Sequence, residues 1–475
     1  MTRYFKTVER LVLAGLLLLL VWIPLPLGSN RDWSAALMIF AIGSLACVWL
    51  SVQMLQNLSL GSGFRKALVP LGLLVATQAW VVVQWGAELT RDSTATFQYL
   101  MLGLSYCLLY LLVIGLFRTR KRLSVLLGVL VISGVLQAFY GTIMTLSGLE
   151  WLIIGPKDHH VGHATGTFVN RNHLAGYLEL TLAAGIGLLL ALRQEGRFRW
   201  TGLFETIMGP KMRLRLALII MVIGLVMTHS RMGNTAFFSS LLLTGGLFLL
   251  VDKEHRLRNG LMLASILLID ILIVSQYFGL DRLKERLVNT RLSDVVVDGA
   301  VVEQANELRG TVFNQALPLA TDRPWIGQGA GSFEAVFPPY AGNLPLHYDH
   351  AHNDFLQFFI EYGVVGSLPL VLFVVISMFY ALKAMVQRRS LYRSGVGCGA
   401  ALGILALMLH SLTDFNLQIP SNAATYVVLC AIAVLANTHK VGSGRSRNKR
   451  NSKEGALEAN LGPTREAGPT GHSIR

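Results

Sequence analysis

The residues best suited to chemistry end a hydrophilic stretch, about 279–351, between two runs of membrane-spanning hydrophobic sequence. That end reads His347-Tyr348-Asp349-His350-Ala351-His352-Asn353-Asp354. Histidine has the unperturbed pKa closest to neutrality, so His352 near Asp349 and Asp354 is a candidate general base. A histidine that only supports the helix start is the alternative. His350 and His352 with the aspartates could instead hold a metal, but alternate positions on irregular backbone need not converge.

A second polar segment, 158–173, precedes the predicted sixth span. It contains three histidines within five residues, His159, His160 and His163. Imidazole is a common zinc ligand, but no carboxylate or cysteine completes a recognisable spacing, which makes zinc the weaker interpretation. Asn170, Arg171 and Asn172 at a helix N-terminus predict an anion-binding site, to which unpaired backbone N–H groups add. N-capping with an interfacial anchor fits the same residues equally well.

A third place is the short outer turn Thr228–Asn234 between predicted spans seven and eight. Arg231 stands there beside Ser230 and Gly233, where a guanidinium could be aimed inward at a phosphate. Snorkelling of the arginine to the membrane surface is the common alternative.

The fourth place is the later part of the long loop. Arg309 opens an amphipathic segment, 309–319, that could lie in the membrane interface with its arginine directed at a headgroup. A surface salt bridge with Glu307 or Asp322 is the alternative. Three glycines follow at alternate positions: Gly327, Gly329 and Gly331. Such glycines allow close backbone approach to a ligand, but the dinucleotide-binding pattern is absent.

These segments must be positioned by membrane-spanning helices. The chain is 53% hydrophobic and 14% charged with mean hydropathy +0.52, whereas soluble domains carry roughly 25% charged residues. We therefore predict an all-α polytopic membrane protein. Twelve segments have the length needed to cross a bilayer: 11–28, 34–54, 67–87, 97–117, 123–147, 173–192, 214–228, 235–251, 259–278, 353–382, 395–413 and 421–438.

The distribution of positive charge sets the orientation. A net charge of +14 would suggest nucleic acid as a partner of a soluble protein, but here 30 of the 41 Lys and Arg residues fall in alternate, cytoplasmic segments. Both termini are then cytoplasmic, and the four places, including the loop 279–352 between spans nine and ten, face outward. We expect one membrane domain over 1–438, with an uncleaved first helix, and a disordered basic tail over 439–475.

Several motifs of the chain resemble those of a known family. His352-Asn353, nine residues and then Gly363-Val364-Val365-Gly366 match the His-Asn-x9-Gly-x-x-Gly signature of the O-antigen ligase and O-antigen polymerase superfamily. The twelve-span layout, the Ser-Arg-x-Gly turn at Ser230 and the glycine-rich segment ending at Phe333 are similar too. The resemblance covers about 30–437.

The resemblance implies a metal-independent, GT-C-type glycosyltransferase without a cofactor. It would transfer a glycan from undecaprenyl pyrophosphate to an acceptor hydroxyl, on a glycan or on lipid A-core, at the periplasmic face of the bacterial inner membrane. Arg231 and Arg309 would bind the pyrophosphate and His352 would activate the acceptor. Asn170, Arg171, His350 and Asn353 are further candidate substrate-binding residues. The partners of the protein would be the lipid-linked glycan, the acceptor and membrane lipid, and nucleic acid would not be a partner.

Three functions stay open. An O-antigen ligase-like transferase leads, and a polysaccharide polymerase is the alternative from the same superfamily. A transporter of lipid-linked sugars is more remote, because transporters place ionisable groups near the bilayer midplane. Only Glu179 and Asp270 are expected inside spans here.

Overall fold

The computed structural model describes residues 2–55, 62–192, 210–253, 255–265, 268, 295–297, 300–303, 309–342, 347–387 and 390–438. The predicted tail over 439–475 lies outside these residues. So do Asp270 and most of predicted span nine, although 256–265 are helical.

The long apolar segments form helices, since a chain in lipid must satisfy its backbone hydrogen bonds internally. Besides the helical residues 256–265, eight helices of the described part of the chain precede the long loop: α1 (Thr2–Trp22), α2 (Asp32–Leu55), α3 (Ser62–Gly86), α4 (Ser93–Leu116), α5 (Arg120–Leu146), α6 (Arg171–Ala191), α7 (Pro210–Met227) and α8 (Arg231–Val251). Five follow within or after it: α9 (Arg309–Asp322), α10 (Phe333–Val336), α11 (Asp354–Met385), α12 (Leu391–His410) and α13 (Pro420–Ala436).

Eight of these helices, α2–α6, α8, α11 and α12, are long and apolar enough to cross a membrane. Helices α1, α7 and the shorter apolar α13 stand where predicted spans one, seven and twelve fall. The polytopic helical class is confirmed, while the count of twelve stays a prediction. Within the described residues, two short antiparallel hairpins interrupt the helical chain: β1 (Trp151–Leu152) with β2 (Gly155–Pro156), and β3 (Val295–Val297) with β4 (Ala300–Glu303).

Helix α6 forms the centre of the bundle. All of its residues from Asn172 to Ala191 are buried. The closest approach is to α12, where the Cα of Gly399 lies 3.0 Å from the position that a Cβ at Gly187 would occupy. Small residues let membrane helices pack at such short range. This crossing fixes the outer ends of α6 and α12 beside each other.

Helix α11 is interrupted at Gly363, whose backbone is left-handed (φ 61°). The freed amide of Val364 donates to the carbonyl of Pro324 (2.8 Å), and that of Val365 donates to Trp325 (3.2 Å). A Cβ at Gly363 would lie 2.4 Å from the Trp325 oxygen. The glycine-rich segment of the long loop is therefore docked on the kink.

The alternate glycines take part in this docking. A Cβ would lie 2.3 Å from the Glu361 carbonyl at Gly327, 2.0 Å from the Thr90 hydroxyl at Gly329 and 2.4 Å from the Tyr99 ring at Gly331. Each glycine thus meets another part of the chain. The close approach seen here is to protein, and an approach of their backbone to a ligand stays a prediction.

Candidate active site

His352 is held in a turn at the N-terminal start of α11. Its backbone is left-handed (φ 51°), a conformation in which histidine is enriched among non-glycine residues. Asn353 caps the helix: its Oδ1 accepts from the Leu356 amide (3.0 Å), and its Nδ2 donates to the Leu412 carbonyl (3.0 Å). Asn353 therefore has the structural role of an N-cap that also ties the turn to the end of α12.

Phe415 gathers three histidines from separate segments. Its ring centroid lies 4.3 Å from that of His350, 4.9 Å from His352 and 4.7 Å from His173. We call Phe415 and these three histidines the base cluster. Sequence reasoning proposed His350 and His352, and the structure adds His173 from the first turn of α6.

Two buried carboxylates stabilise the base cluster. Asp414 Oδ1 lies 3.6 Å from His173 Nε2. Asp354 accepts from the Ser411 hydroxyl (2.7 Å) and the Leu417 amide (3.0 Å), which fixes the turn that carries Phe415. Asp354, considered from sequence as a neighbour of the base, is instead directed at this turn.

His350 lies in a less polar environment than its sequence neighbours suggest. Its side chain is 14% exposed, and its Nε2 lies 3.9 Å from an oxygen of the exposed Asp349. Burial lowers the pKa of His350, the Asp349 carboxylate opposes that shift, and His173 reinforces it. The neutral imidazole is therefore favoured near neutral pH.

A second group of side chains joins two of the outer places. Arg171 Nη1 lies 2.9 Å from His163 Nε2, and His163 Nδ1 lies 2.6 Å from His229 Nδ1. We call His163, Arg171 and His229 the arginine cluster. Because a guanidinium has donors only, His163 Nε2 acts as the acceptor. Asn170, predicted as an anion ligand or a cap, uses Oδ1 to cap the Asn172 amide at 2.9 Å.

Arg231 begins α8 directly after the arginine cluster. Its side chain is exposed, and Ser230 caps the helix by accepting from the Gly233 amide (3.2 Å). A Cβ at Gly233 would lie 2.6 Å from that of Ala175, so glycine is needed for contact with α6. The Ser-Arg-x-Gly turn therefore consists of a cap, an exposed guanidinium and a close-packing residue.

Arg309 is placed by its backbone alone as the first residue of α9, and its side chain lies outside the described residues. The apolar face of α9, through Val312, Ala316 and Leu319, packs with Phe333 and Ile360. This amphipathic segment thus uses its apolar face against the protein, next to the start of α11.

An apolar cavity of about 370 Å³ leads away from the base cluster between helices α3, α4, α11, α12 and α13. Asp354, Ser411 and Gln418 are polar residues of its lining near the base cluster. Phe355, Val371 and Val375 line it and are about half exposed, at 44%, 50% and 56%. A cavity with half-exposed apolar walls on a spanning helix is accessible from the surrounding lipid.

One part of the chain matches a known protein family. Residues 216–371, about a third of the chain, match the family model described as O-antigen ligase. This segment is similar to the O-antigen ligase family. It contains Arg231, Arg309, His350 and His352, and it ends in α11 after the signature glycines Gly363 and Gly366.

A curated relative adds little on activity. The chain is 24% identical over 205 residues to an uncharacterized protein of Haemophilus influenzae, a match that covers 40% of this chain and 48% of the relative. The chain thus spans about half of that relative's length. Among the described residues, no three His, Cys, Asp or Glu side chains are arranged to hold a metal ion.

The structure explains why an O-antigen ligase-type segment carries glycines eleven and fourteen residues after His352. Gly363 makes the kink, and a Cβ at Gly366 would lie 2.5 Å from the Trp80 ring. The indole of Trp80 also donates to the Tyr362 carbonyl (2.9 Å). The two glycines therefore dock the helix that presents the histidine.

Sequence reasoning missed several residues of this region. Phe415 and Asp414 lie in the connection between predicted spans eleven and twelve, where an acid and amides within a few apolar residues were the available signal. Gln357 and Glu361 follow Asp354 at helical spacing, which places them on one face of α11. Glu361 is fully buried, so it adds to the acids expected within spans.

Glu179 is buried within a span, as predicted. Its Oε1 lies 2.7 Å from Nδ1 of His410, and neither side chain has exposed surface. A carboxylate at this depth requires such a partner. The pair joins α6 to α12 beneath the base cluster.

Proposed function

We propose that this protein is an O-antigen ligase-like glycosyltransferase of the bacterial inner membrane. It transfers a glycan from undecaprenyl pyrophosphate to a hydroxyl of an acceptor, such as lipid A-core, on the periplasmic side. The observation that carries the proposal is the position of His352: it lies inside the O-antigen ligase match, at the outer end of a spanning helix, where the apolar cavity begins at Asp354.

The acceptor is activated by His352. Its imidazole takes the hydroxyl proton while the acceptor oxygen forms a bond to the anomeric carbon of the donor sugar. The bond from that carbon to the pyrophosphate oxygen breaks, and the electron pair leaves with undecaprenyl pyrophosphate. A base with a pKa near neutrality is suited to this proton transfer. The contact of His352 with Phe415 fixes the ring that must meet the hydroxyl.

The leaving group is stabilised by guanidinium groups. Pyrophosphate gains negative charge as the glycosidic bond breaks, and preorganised cations stabilise that charge without a metal. Arg231 and Arg309 fill this role, and each opens a helix within the O-antigen ligase match. Arg171 of the arginine cluster, at the start of α6, adds a third cation.

The isoprenoid tail of the donor occupies the apolar cavity. Lipid chains are about as apolar as the cavity walls, so little free energy is gained by moving the tail from bilayer to protein. The cavity therefore positions the donor more than it increases affinity. Its polar end at Asp354, two residues from His352, places the tail's pyrophosphate end near the base.

A transporter of lipid-linked sugars is the second candidate. The buried Glu179–His410 pair and the buried Glu361 provide more ionisable groups within spans than the sequence suggested. Such groups mark proton or substrate pathways in many transporters. This function predicts translocation that does not depend on His352.

The test is glycan transfer from a lipid-pyrophosphate donor by purified protein in EDTA. We expect activity in the wild type and its collapse in His352→Ala, Arg231→Ala and Arg309→Ala. His347→Ala and Arg91→Ala are matched controls, since His347 contacts the exposed Glu334 and Arg91 is an exposed outer cation. Loss of wild-type activity in EDTA that zinc restores would overturn the metal-independent mechanism.

Two further outcomes separate the alternatives. A ladder of growing glycans on undecaprenyl pyrophosphate, made without a core acceptor, identifies a polymerase. Translocation of a fluorescent lipid-linked sugar that His352→Ala leaves intact, with no transfer detected, identifies a transporter.

A further inference from the structure

Gln357 connects the candidate site to the kinked part of α11. Its side chain is buried, 1% exposed. Its Oε1 accepts from the amide of Ala351 (3.1 Å), and its Nε2 contacts both His350 Nδ1 (3.0 Å) and Glu361 Oε1 (3.0 Å). The amide therefore spans three partners, two on the loop before the helix and one a turn further along it.

The orientation of this amide is fixed by its partners. The backbone N–H of Ala351 can only donate, so the side-chain atom facing it must be the Gln357 oxygen. The opposite atom is then the NH₂ group, with one hydrogen for Glu361 and one for His350. Glu361 is held as an acceptor, because its Oε2 accepts from the Gly331 amide at 2.9 Å.

The fixed amide determines where His350 carries its proton. A donor that faces Nδ1 requires a lone pair there, so the neutral ring has its hydrogen on Nε2. Doubly protonated His350 would set two N–H groups against each other. Burial, the largest influence on this ring, also lowers the pKa of His350.

We infer that Gln357 is a positioning residue that holds His350 as a neutral imidazole with its hydrogen on Nε2, and that His350 donates this hydrogen to a substrate oxygen beside His352. The inference rests on the proposed transferase function. The two histidines share the Phe415 ring but have opposite roles: His352 accepts a proton, and His350 supplies a hydrogen bond without being consumed. Environments that differ between neighbouring titratable groups assign such roles.

The first test reads the proton position without any substrate. Solid-state NMR of protein labelled with ¹⁵N-histidine, in lipid, reports which nitrogen of each ring is protonated. The chain has 12 histidines, and the signals that His350→Gln removes identify His350. We expect an unprotonated Nδ1 at neutral pH in the wild type. A protonated Nδ1 would overturn the inference whatever the enzyme's activity.

A variant of Gln357 extends that test. In Gln357→Glu the two carboxylates at 357 and 361 share a proton, and the acceptor left facing His350 draws a hydrogen onto Nδ1. We expect the His350 Nδ1 signal to change from unprotonated to protonated. Gln357→Asn, one methylene shorter, is the second variant and should give mixed tautomers. An unchanged His350 spectrum in both variants would show that Gln357 does not determine the tautomer of His350.

The second test uses transfer activity. A glutamine at 350 can present an N–H near the position of Nε2 but cannot take up a proton. We expect His350→Ala to lose about 10²-fold in kcat/KM and His350→Gln to restore activity to within about tenfold of the wild type. Equal loss in both would show that His350 works as a base. No transfer by any variant or by the wild type, with the NMR result intact, would instead count against the proposed function.

Discussion

The turns that begin α8 and α11 have the same backbone construction and different neighbours. In each, a left-handed histidine (His229, φ 54°; His352, φ 51°) precedes a side-chain N-cap, Ser230 or Asn353. His229 meets His163, which contacts the guanidinium of Arg171. His352 instead meets Phe415, beside the buried carboxylates of the base cluster. The same local fold therefore supports two kinds of chemistry.

The neighbours decide what each histidine can do. A guanidinium close to an imidazole disfavours a second positive charge, so the arginine cluster is suited to an anion. The aromatic ring of Phe415 beside His352 leaves that imidazole able to accept a proton. We therefore propose phosphate binding for the arginine cluster and acceptor activation for the base cluster. Variants of the two clusters should therefore differ in whether kcat or donor binding is affected.

The largest expected effect is loss of the base. His352→Ala should lower kcat by about 10²–10⁴-fold, the usual contribution of general base catalysis, with a smaller change in KM. His163→Ala, the matched change in the arginine cluster, should lower kcat by less than tenfold. Single-turnover transfer rates at saturating donor measure both. Comparable losses in kcat would erase the distinction between the clusters.

The next effect is loss of the guanidinium beside His163. Arg171→Ala should weaken donor binding by about 10–100-fold, because hydrogen bonds to charged groups contribute about 1.5–3 kcal/mol. Arg171→Lys should recover only part of the lost donor affinity, since lysine lacks the planar donor pair of a guanidinium. Titration with a lipid pyrophosphate that carries no sugar measures the binding of the pyrophosphate part of the donor alone. Unchanged binding in Arg171→Ala would remove that residue from the donor site.

Much of the fold could be predicted from sequence because hydropathy fixes which segments enter the membrane. The sixth span was expected at 173–192 and the helix is Arg171–Ala191, while the tenth was expected at 353–382 and the helix is Asp354–Met385. Hydropathy alone could not show that α6 is enclosed by protein. That depends on the contact of Gly187 with Gly399, which are distant in sequence.

In the candidate site, too, some features follow from local sequence and others depend on packing between distant segments. Asn353 as a cap and His352 before it follow from local sequence, since Asn is a favoured N-cap. Phe415 lies more than sixty residues further along the chain, and only the packing of α6, α11 and α12 brings it to three histidines. Sequence could not show that Gly327, Gly329 and Gly331 approach protein, because a close approach to protein and one to a ligand require the same residue type.

A smaller effect is expected from the ring that gathers the base cluster. Phe415→Leu keeps an apolar side chain but removes the aromatic contacts, each worth about 0.5–1.5 kcal/mol. We expect a loss in kcat of about tenfold with little change in donor binding. Leu417→Ala, in the same turn, is the control for general loosening. A fall in donor affinity without a fall in kcat would place Phe415 on the phosphate side instead.

The smallest effect concerns stability and pH. The pKa of His350 is lowered in the fold, so below its unfolded pKa, about 6.5, the unfolded chain takes up a proton that the folded protein does not. Stability should therefore fall as pH drops from about 7 toward 5, by a few degrees in melting temperature. His350→Gln, which cannot titrate, should reduce that fall, whereas His347→Gln, an exposed residue, should not. Thermal scans at pH 7.5, 6 and 5 compare them. An identical pH dependence in His350→Gln and the wild type would mean that His350 is not held neutral, and the contrast between the two clusters would then depend on His352 alone.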